Sequence, residues 1–399
     1  MKGKAFALKE RMTTEVVVLL LLMVFQSFAF FQGGNPLSNS LFVSIINVIS
    51  VALIIYLVSS SRNKFINTGD NFMLALCAFI NWFFILINSY GHANIFSILS
   101  PIILALFCFL NKDSKIKMYE AFRIVMAIMS FLGIIACVLY LLGVPPLSFT
   151  DYYDIESSSE YADYGFAYLV VDHTVFYRLC GLFNEPGMFA TLAALTLIAD
   201  ECRFNFVNIT IFIACIFTFS VAFVALMLIY LFLRLIVVRN IWSKFLILCI
   251  GLGVLFLSTM EFEDDNVVYM LSRLQLEDGK LAGDSRASSQ LDFYWKRLIS
   301  DSSKLWFGYG SYIGQTRSSS YKMLIVNYGL LGLLCIFTPF FLTALRIAKK
   351  NWDAIALIFV FLVSMYQRPL VFNLAYFIVL FGGIYSIRQK NVLYNNSQK

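Results

Sequence analysis

The sequence predicts an all-α polytopic membrane protein of about twelve transmembrane helices, with two large periplasmic loops containing short amphipathic helices. Three observations predict it. Hydrophobic residues make up 60% of the chain and charged residues 14%, where an ordinary soluble domain carries about 25% charged residues. Apolar runs recur at lengths near the ~20 residues that a helix needs to cross a bilayer. Basic residues fall in alternate connections between those runs, as they do when such loops share one side of a membrane.

The runs lie near 16–31, 41–58, 72–88, 95–110, 122–142, 186–200, 206–219, 221–238, 242–259, 323–345, 353–366 and 370–387. The shorter ones imply tilt or half-buried ends against a hydrocarbon core about 30 Å thick. Residues 206–238 are too many for one span, and a turn near Ser220 divides them in two. The first run has a charged start and ends in Ser27-Phe28-Ala29. It is read as an uncleaved first span, although a signal peptide would show the same pattern.

Orientation follows from the cations. Lys2, Lys4, Lys9 and Arg11 precede the first run, Arg62 and Lys64 follow the second, and Lys112, Lys115 and Lys117 follow the fourth. Arg203 follows the sixth, Arg234, Arg239 and Lys244 flank the eighth, Arg346, Lys349 and Lys350 follow the tenth, and Arg388 and Lys390 follow the last. Both termini are therefore expected in the cytoplasm, with residues 1–399 forming a single integral membrane domain.

Composition also excludes. Cys77, Cys108, Cys137, Cys202, Cys215, Cys249 and Cys335 sit in or beside apolar runs and read as small buried hydrophobes, with Cys180 at an outer boundary. Two histidines are too few for a histidine metal site. The net charge of +6 lies in short loops and calls for no nucleic acid. No P-loop or dinucleotide-binding glycine motif follows a strand, so no nucleotide cofactor is expected.

Two connections are long. The first, 143–183, is acidic and aromatic, with Asp151, Asp154, Glu156, Glu160, Asp163 and Asp172 among its tyrosines. The second, 260–322, holds most of the remaining polar residues. Loops of this length are usually functional or disordered, and the aromatic content argues for folded caps.

The chemistry-bearing stretch is Arg178-Leu179-Cys180-Gly181-Leu182-Phe183-Asn184-Glu185-Pro186-Gly187, at the edge of the sixth run. Pro186 marks a helix start, so Glu185 is either a capping acid or a carboxylate able to accept a proton. Arg178 is either a headgroup anchor or a phosphate ligand, since a guanidinium bonds two oxygens and stays charged. His173 lies close enough in sequence to assist. In the second loop, Asp284 or Ser285 caps an expected helix from Arg286 to Ile299. Arg286, Gln290, Phe293 and Arg297 share one face, while Leu291, Trp295 and Leu298 fall opposite. By helical rise the two arginines stand about 16 Å apart, too far to hold one pyrophosphate together on a straight helix. Gly308-Tyr309-Gly310 and Asn327-Tyr328-Gly329-Leu330-Leu331-Gly332 follow, and their glycines allow close approach of a ligand or of a neighbouring helix. Arg368, before Pro369, is either an interfacial anchor or a further cation facing the same cavity.

These motifs, in this order and on this topology, resemble the Wzy-type O-antigen polymerases of the wider O-antigen polymerase and ligase group. The resemblance implies a metal-independent glycosyltransferase of a bacterial inner membrane. Its substrate would be an undecaprenyl-pyrophosphate-linked oligosaccharide in membrane lipid, and its partner a chain-length regulator protein. Arg178, Glu185, Arg286 and Arg297 would be catalytic, and His173, Gly308, Gly310 and Arg368 would bind substrate. An O-antigen ligase is the near alternative. Ligases typically carry a histidine in the second outer loop, and residues 260–322 contain none, with Ser318-Ser319-Ser320-Tyr321 in that region. A lipid-linked oligosaccharide flippase also has about twelve spans, but it would call for charges along the spans and short loops, which this sequence lacks.

Overall fold

The computed structural model describes residues 48–57, 79, 83, 103, 104, 106, 107, 110–151, 160–172, 176–183, 185–237, 276, 277, 280, 281, 289–310, 321–368 and 373–397. The expected spans near 16–31 and 242–259 lie outside the described residues, as do all but isolated residues of those near 72–88 and 95–110. The described chain is predominantly helical. It divides into two compact units, Met1–Arg123 with Arg286–Lys399, and Ile124–Ser285.

Before the first long connection the described residues include the helices α1 (Val48–Leu57) and α2 (Lys112–Leu141). Helix α2 begins ten residues before the expected span, so the basic stretch read as a loop is helical. Asn111 explains the early start, because its side-chain oxygen accepts from the Ser114 amide at 2.7 Å and closes the first turn. Lys115, expected in an exposed basic loop, is buried, with its ammonium 5.8 Å from the ring centres of Phe107 and of Tyr385. Further along α2, Ile124, Ile128, Phe131, Val138 and Leu141 are exposed along one broad face, while Met126, Met129, Ala136 and Cys137 are buried.

The connection 143–183 departs from expectation. Instead of short amphipathic helices it forms a four-stranded antiparallel sheet: β1 (Ser148–Asp151), β2 (Glu160–Asp163), β3 (Tyr168–Asp172) and β4 (Phe176–Gly181). The physical reason lies in Tyr168-Leu169-Val170-Val171 and Phe176-Tyr177, aromatic and branched residues that fit a pleated, half-buried surface. The β2–β3 hairpin is closed by Asp163, whose carboxylate accepts from the Gly165 amide at 2.6 Å, and by Tyr164 N–H on the Ala167 carbonyl at 3.1 Å. The protein is thus helical with a small sheet rather than all-α.

After the sheet come α3 (Pro186–Ala199), α4 (Phe206–Phe217) and α5 (Val221–Val237). The division of 206–238 falls at Thr218–Ser220, beside the expected Ser220. Every residue of α3 is buried. Its two polar side chains, Thr191 and Thr196, donate to the Gly187 and Leu192 carbonyls at 2.7 Å each, so no hydroxyl goes unbonded in the apolar interior. At its far end the buried Asp200 carboxylate accepts from the Asn208 and Asn205 amides at 2.8 and 3.2 Å.

In the second connection, β5 (Leu276–Glu277) pairs antiparallel with β6 (Lys280–Leu281). Then follow α6 (Ser289–Ser300), α7 (Ser302–Phe307), α8 (Tyr321–Ala348), α9 (Trp352–Gln367), α10 (Leu374–Phe377), a π-helical turn (Ile378–Gly382) and α11 (Gly383–Ser397). Helix α8 is broken at Gly329, whose φ is 67°. Among the described residues two helices, Lys112–Leu141 and Tyr321–Ala348, are long and apolar enough to cross a membrane. Val48–Leu57, Pro186–Ala199, Phe206–Phe217, Val221–Ile236 and Trp352–Tyr366 are shorter apolar helices.

The break in α8 is matched by Gly308, whose φ is 75°. A Cβ on Gly308 would lie 2.5 Å from the Asn327 carbonyl oxygen, and one on Gly329 would strike the Trp306 carbonyl. We therefore expect Gly308→Ala and Gly329→Ala each to destabilise the protein by more than the ~1–3 kcal/mol of backbone strain alone. Thermal unfolding in detergent, followed by size-exclusion chromatography, measures this. An unchanged midpoint in either variant contradicts the close backbone crossing.

Candidate functional site

The sequence-predicted residues fall into two groups, one in each unit, and each is built from its own elements. In the unit of residues 124–285, β4 carries Arg178 and β3 aligns Val170 with it. Leu179, on the other face of the strand, inserts where Gly133 of α2 has no side chain; a Cβ there would lie 2.5 Å from it. Arg178 is half-buried, and its Nε donates to the Thr218 carbonyl at 3.2 Å. Thr218 is the C-terminal cap of α4, where the helix presents the negative end of its dipole. That bond fixes the plane of the guanidinium.

Beyond β4 the chain turns at Gly181, where φ is 62°, and reaches α3. Phe183 and Phe189 pack edge to face at 5.7 Å and hold the turn on the helix. Pro186 is the first helical residue, as the sequence indicates, and Glu185 precedes it in extended conformation. The Glu185 carbonyl accepts from the Met188 and Phe189 amides at 3.0 and 3.3 Å. Its carboxylate makes no capping hydrogen bond.

Between Arg178 and Glu185 lies Cys180, fully buried, its thiol donating to the Tyr168 carbonyl at 3.2 Å. Burial pushes this thiol well above its ordinary range; Arg178 pulls the other way and Glu185 adds to the rise. Tyr168 behind them is also pushed up, by burial first and then by the Asp163 carboxylate.

The second group belongs to the unit containing 286–399. Helix α6 shows the faces expected of it: Leu291 and Leu298 are buried, and Gln290, Phe293 and Arg297 are exposed. Asp301 caps α7 by accepting from the Ser303 and Lys304 amides at 3.0 and 3.2 Å. Gly308 and Gly310 are buried and their stretch lies on the broken part of α8, with Tyr309 N–H on the Val326 carbonyl at 2.7 Å and Gly310 N–H on the Asn327 carbonyl at 3.0 Å. Of the two neighbours the sequence allowed these glycines, the structure supplies the helix. Arg368 is buried as the C-terminal cap of α9, its amide on the Ser364 carbonyl at 2.9 Å. His173 and Arg286, and with Arg286 the expected cap at Asp284 or Ser285, lie outside the described residues.

Sequence reasoning missed a row of rings in this unit. Trp295 meets Tyr321 edge to face at 6.0 Å, and Tyr321 stacks on Tyr366 at 4.5 Å. The available signal was the aromatic content of the second loop; the pairing needs α6, α8 and α9 in three dimensions. Among the described residues no three His, Cys, Asp or Glu side chains gather as metal ligands.

No known family profile matches the chain, and no curated protein is significantly similar to it.

The thiols give a direct check on the first group. Cys202, between α3 and α4, is pushed up to about 12 by burial, against the pull of Arg234. A thiolate with that pKa is roughly one part in ten thousand at pH 8, against about a quarter for a free cysteine. We expect neither Cys180 nor Cys202 to react with maleimide in native membranes at pH 8, and both to react after denaturation, read by peptide mass spectrometry. Rapid native labelling of either one contradicts the packing described.

Proposed function

We propose that the protein is a polytopic inner-membrane polymerase of surface polysaccharide, of the Wzy type that its motifs resemble. On this reading it has about twelve spans, both termini in the cytoplasm and its site on the periplasmic face. The observation that carries the proposal is that Arg178, anchored on the α4 terminus, and Glu185, at the start of a wholly buried apolar helix, are joined by one short turn. A guanidinium and a carboxylate on one strand–turn–helix segment suit transfer from a phosphate leaving group to a hydroxyl. The exposed apolar face of α2 and the length of α2 and α8 support a bilayer setting.

The donor is the growing saccharide chain on undecaprenyl pyrophosphate, and the acceptor is a new lipid-linked repeat unit. The acceptor hydroxyl oxygen forms a bond to the anomeric carbon of the donor. The bond from that carbon to the phosphate oxygen breaks, and its electron pair leaves with the pyrophosphate. The hydroxyl proton passes to the Glu185 carboxylate, a general base. Arg178 neutralises the charge that builds on the departing phosphate. The sugar–pyrophosphate bond supplies the driving force, so the reaction consumes no nucleotide.

Deleting the gene and running lipopolysaccharide on a gel tests this. The expected result is loss of the long ladder with one repeat unit still attached. Loss of even the single unit points to a flippase, unattached polymer points to a ligase, and a normal ladder removes all three readings. On complementation, Arg178→Ala should lower polymer formation by about 10²–10³-fold, the usual effect of removing one preorganised donor, while Glu185→Gln removes the base without changing shape. Full ladders from both variants at normal protein levels would refute the assigned roles.

A further inference from the structure

The ring row of α6, α8 and α9 has no part in the transfer step described above, and its chemistry is specific. Tyr321, the first residue of α8, lies nearly parallel to Tyr366, with centres 4.5 Å apart and planes 20° apart. Tyr366, in the last turn of α9, is 61% exposed. Trp295 joins from α6, edge to face with Tyr321. Lys322 lies 5.7 Å over the Trp295 ring and bonds the Asp292 carboxylate at 3.0 Å, and both charged side chains are partly exposed. The row therefore combines an exposed aromatic residue with an adjacent carboxylate and ammonium.

That combination fits a sugar better than a lipid. A pyranose presents a flat patch of C–H groups on one face and hydroxyls around its rim. The patch packs on an aromatic ring, and the rim needs both donors and acceptors. An aromatic residue that anchors a span in lipid headgroups needs no partnered rings and no ion pair beside it. We propose that Trp295, Tyr321 and Tyr366, with Asp292 and Lys322, form a saccharide-binding platform that holds the acceptor repeat unit of the polymerase. The proposal rests on the polymerase reading for the name of its ligand only; the platform itself binds carbohydrate.

The test uses the full-length protein in detergent and a lipid-free probe: the repeat-unit oligosaccharide released by mild acid from the lipid-linked pool of the producing cells. Binding is followed by saturation-transfer NMR and by quenching of tryptophan fluorescence. The wild type should bind. Tyr366→Ala, at an exposed position, should weaken binding roughly two- to tenfold, while Tyr366→Phe keeps the ring and the affinity. Asp292→Asn should weaken binding without moving the unfolding temperature. In a turnover assay Tyr366→Ala should raise the acceptor KM and leave kcat unchanged. No binding to the wild type, or equal binding by wild type and Tyr366→Ala, overturns the proposal; so does a Tyr366→Ala protein that loses stability in lipid vesicles yet binds the sugar as before. A normal ladder in the deletion strain, together with ring-dependent sugar binding, removes the polymerase and leaves the platform standing.

Discussion

A broken helix must find partners for the backbone groups that the break releases, and the unit containing 286–399 is arranged around that need. In an intact helix the Val326 and Asn327 carbonyls would accept from the amides four residues on. The left-handed turn at Gly329 withdraws those amides, and Tyr309 and Gly310 supply theirs instead. In an apolar setting no water replaces a lost partner, so the substitution is obligatory. It works only if two backbones come into contact, and this explains why glycine stands on both sides of the crossing. Once that crossing is fixed, α7 lies against α8, α6 follows α7, and Trp295 arrives beside Tyr321. The Lys322–Asp292 pair then closes the gap between α6 and α8.

The other unit solves a different problem with the same economy of polar groups. A wholly apolar helix, α3, offers no handle for orientation, so orientation comes from its ends. One end is held by Phe183 against Phe189 and the other by Asp200 among asparagine amides. The sheet then places Arg178 by strand register and anchors it on the α4 terminus. A guanidinium that reaches a helix end in this way is positioned before any substrate arrives, the condition under which electrostatic assistance costs no reorganisation.

The helices were legible to the degree that a single residue marks their limits. Pro186 starts α3, Asn205 caps α4 through the Asn208 amide, and Asn351 caps α9 through the Ala354 amide. These signals are local and can be read directly. The amphipathic faces of α6 were legible for the same reason, since spacing along one helix decides them. The early start of α2 was hidden because its lysines suggest a solvated loop, and only the fold shows Lys115 buried against rings. The sheet was hidden because its strands are short and flanked by acids, and a strand gains stability only from the strand beside it. Glu185 and Arg178 could be named as a pair from sequence; that Arg178 reaches the Thr218 carbonyl depends on a turn and a register that no local pattern states.

Helix α3 also sets a depth. Its 14 residues rise about 21 Å, whereas a hydrocarbon core measures about 30 Å. If the Asp200 end is level with one surface of the bilayer, the Glu185 end stops about 9 Å short of the other. On the proposed polymerase reading, the carboxylate would then sit at the bottom of a recess, and a pyrophosphate carried by a lipid would meet it by sinking, not by rising into water. The shortness of one helix would thus decide how far a charged headgroup must leave its own layer.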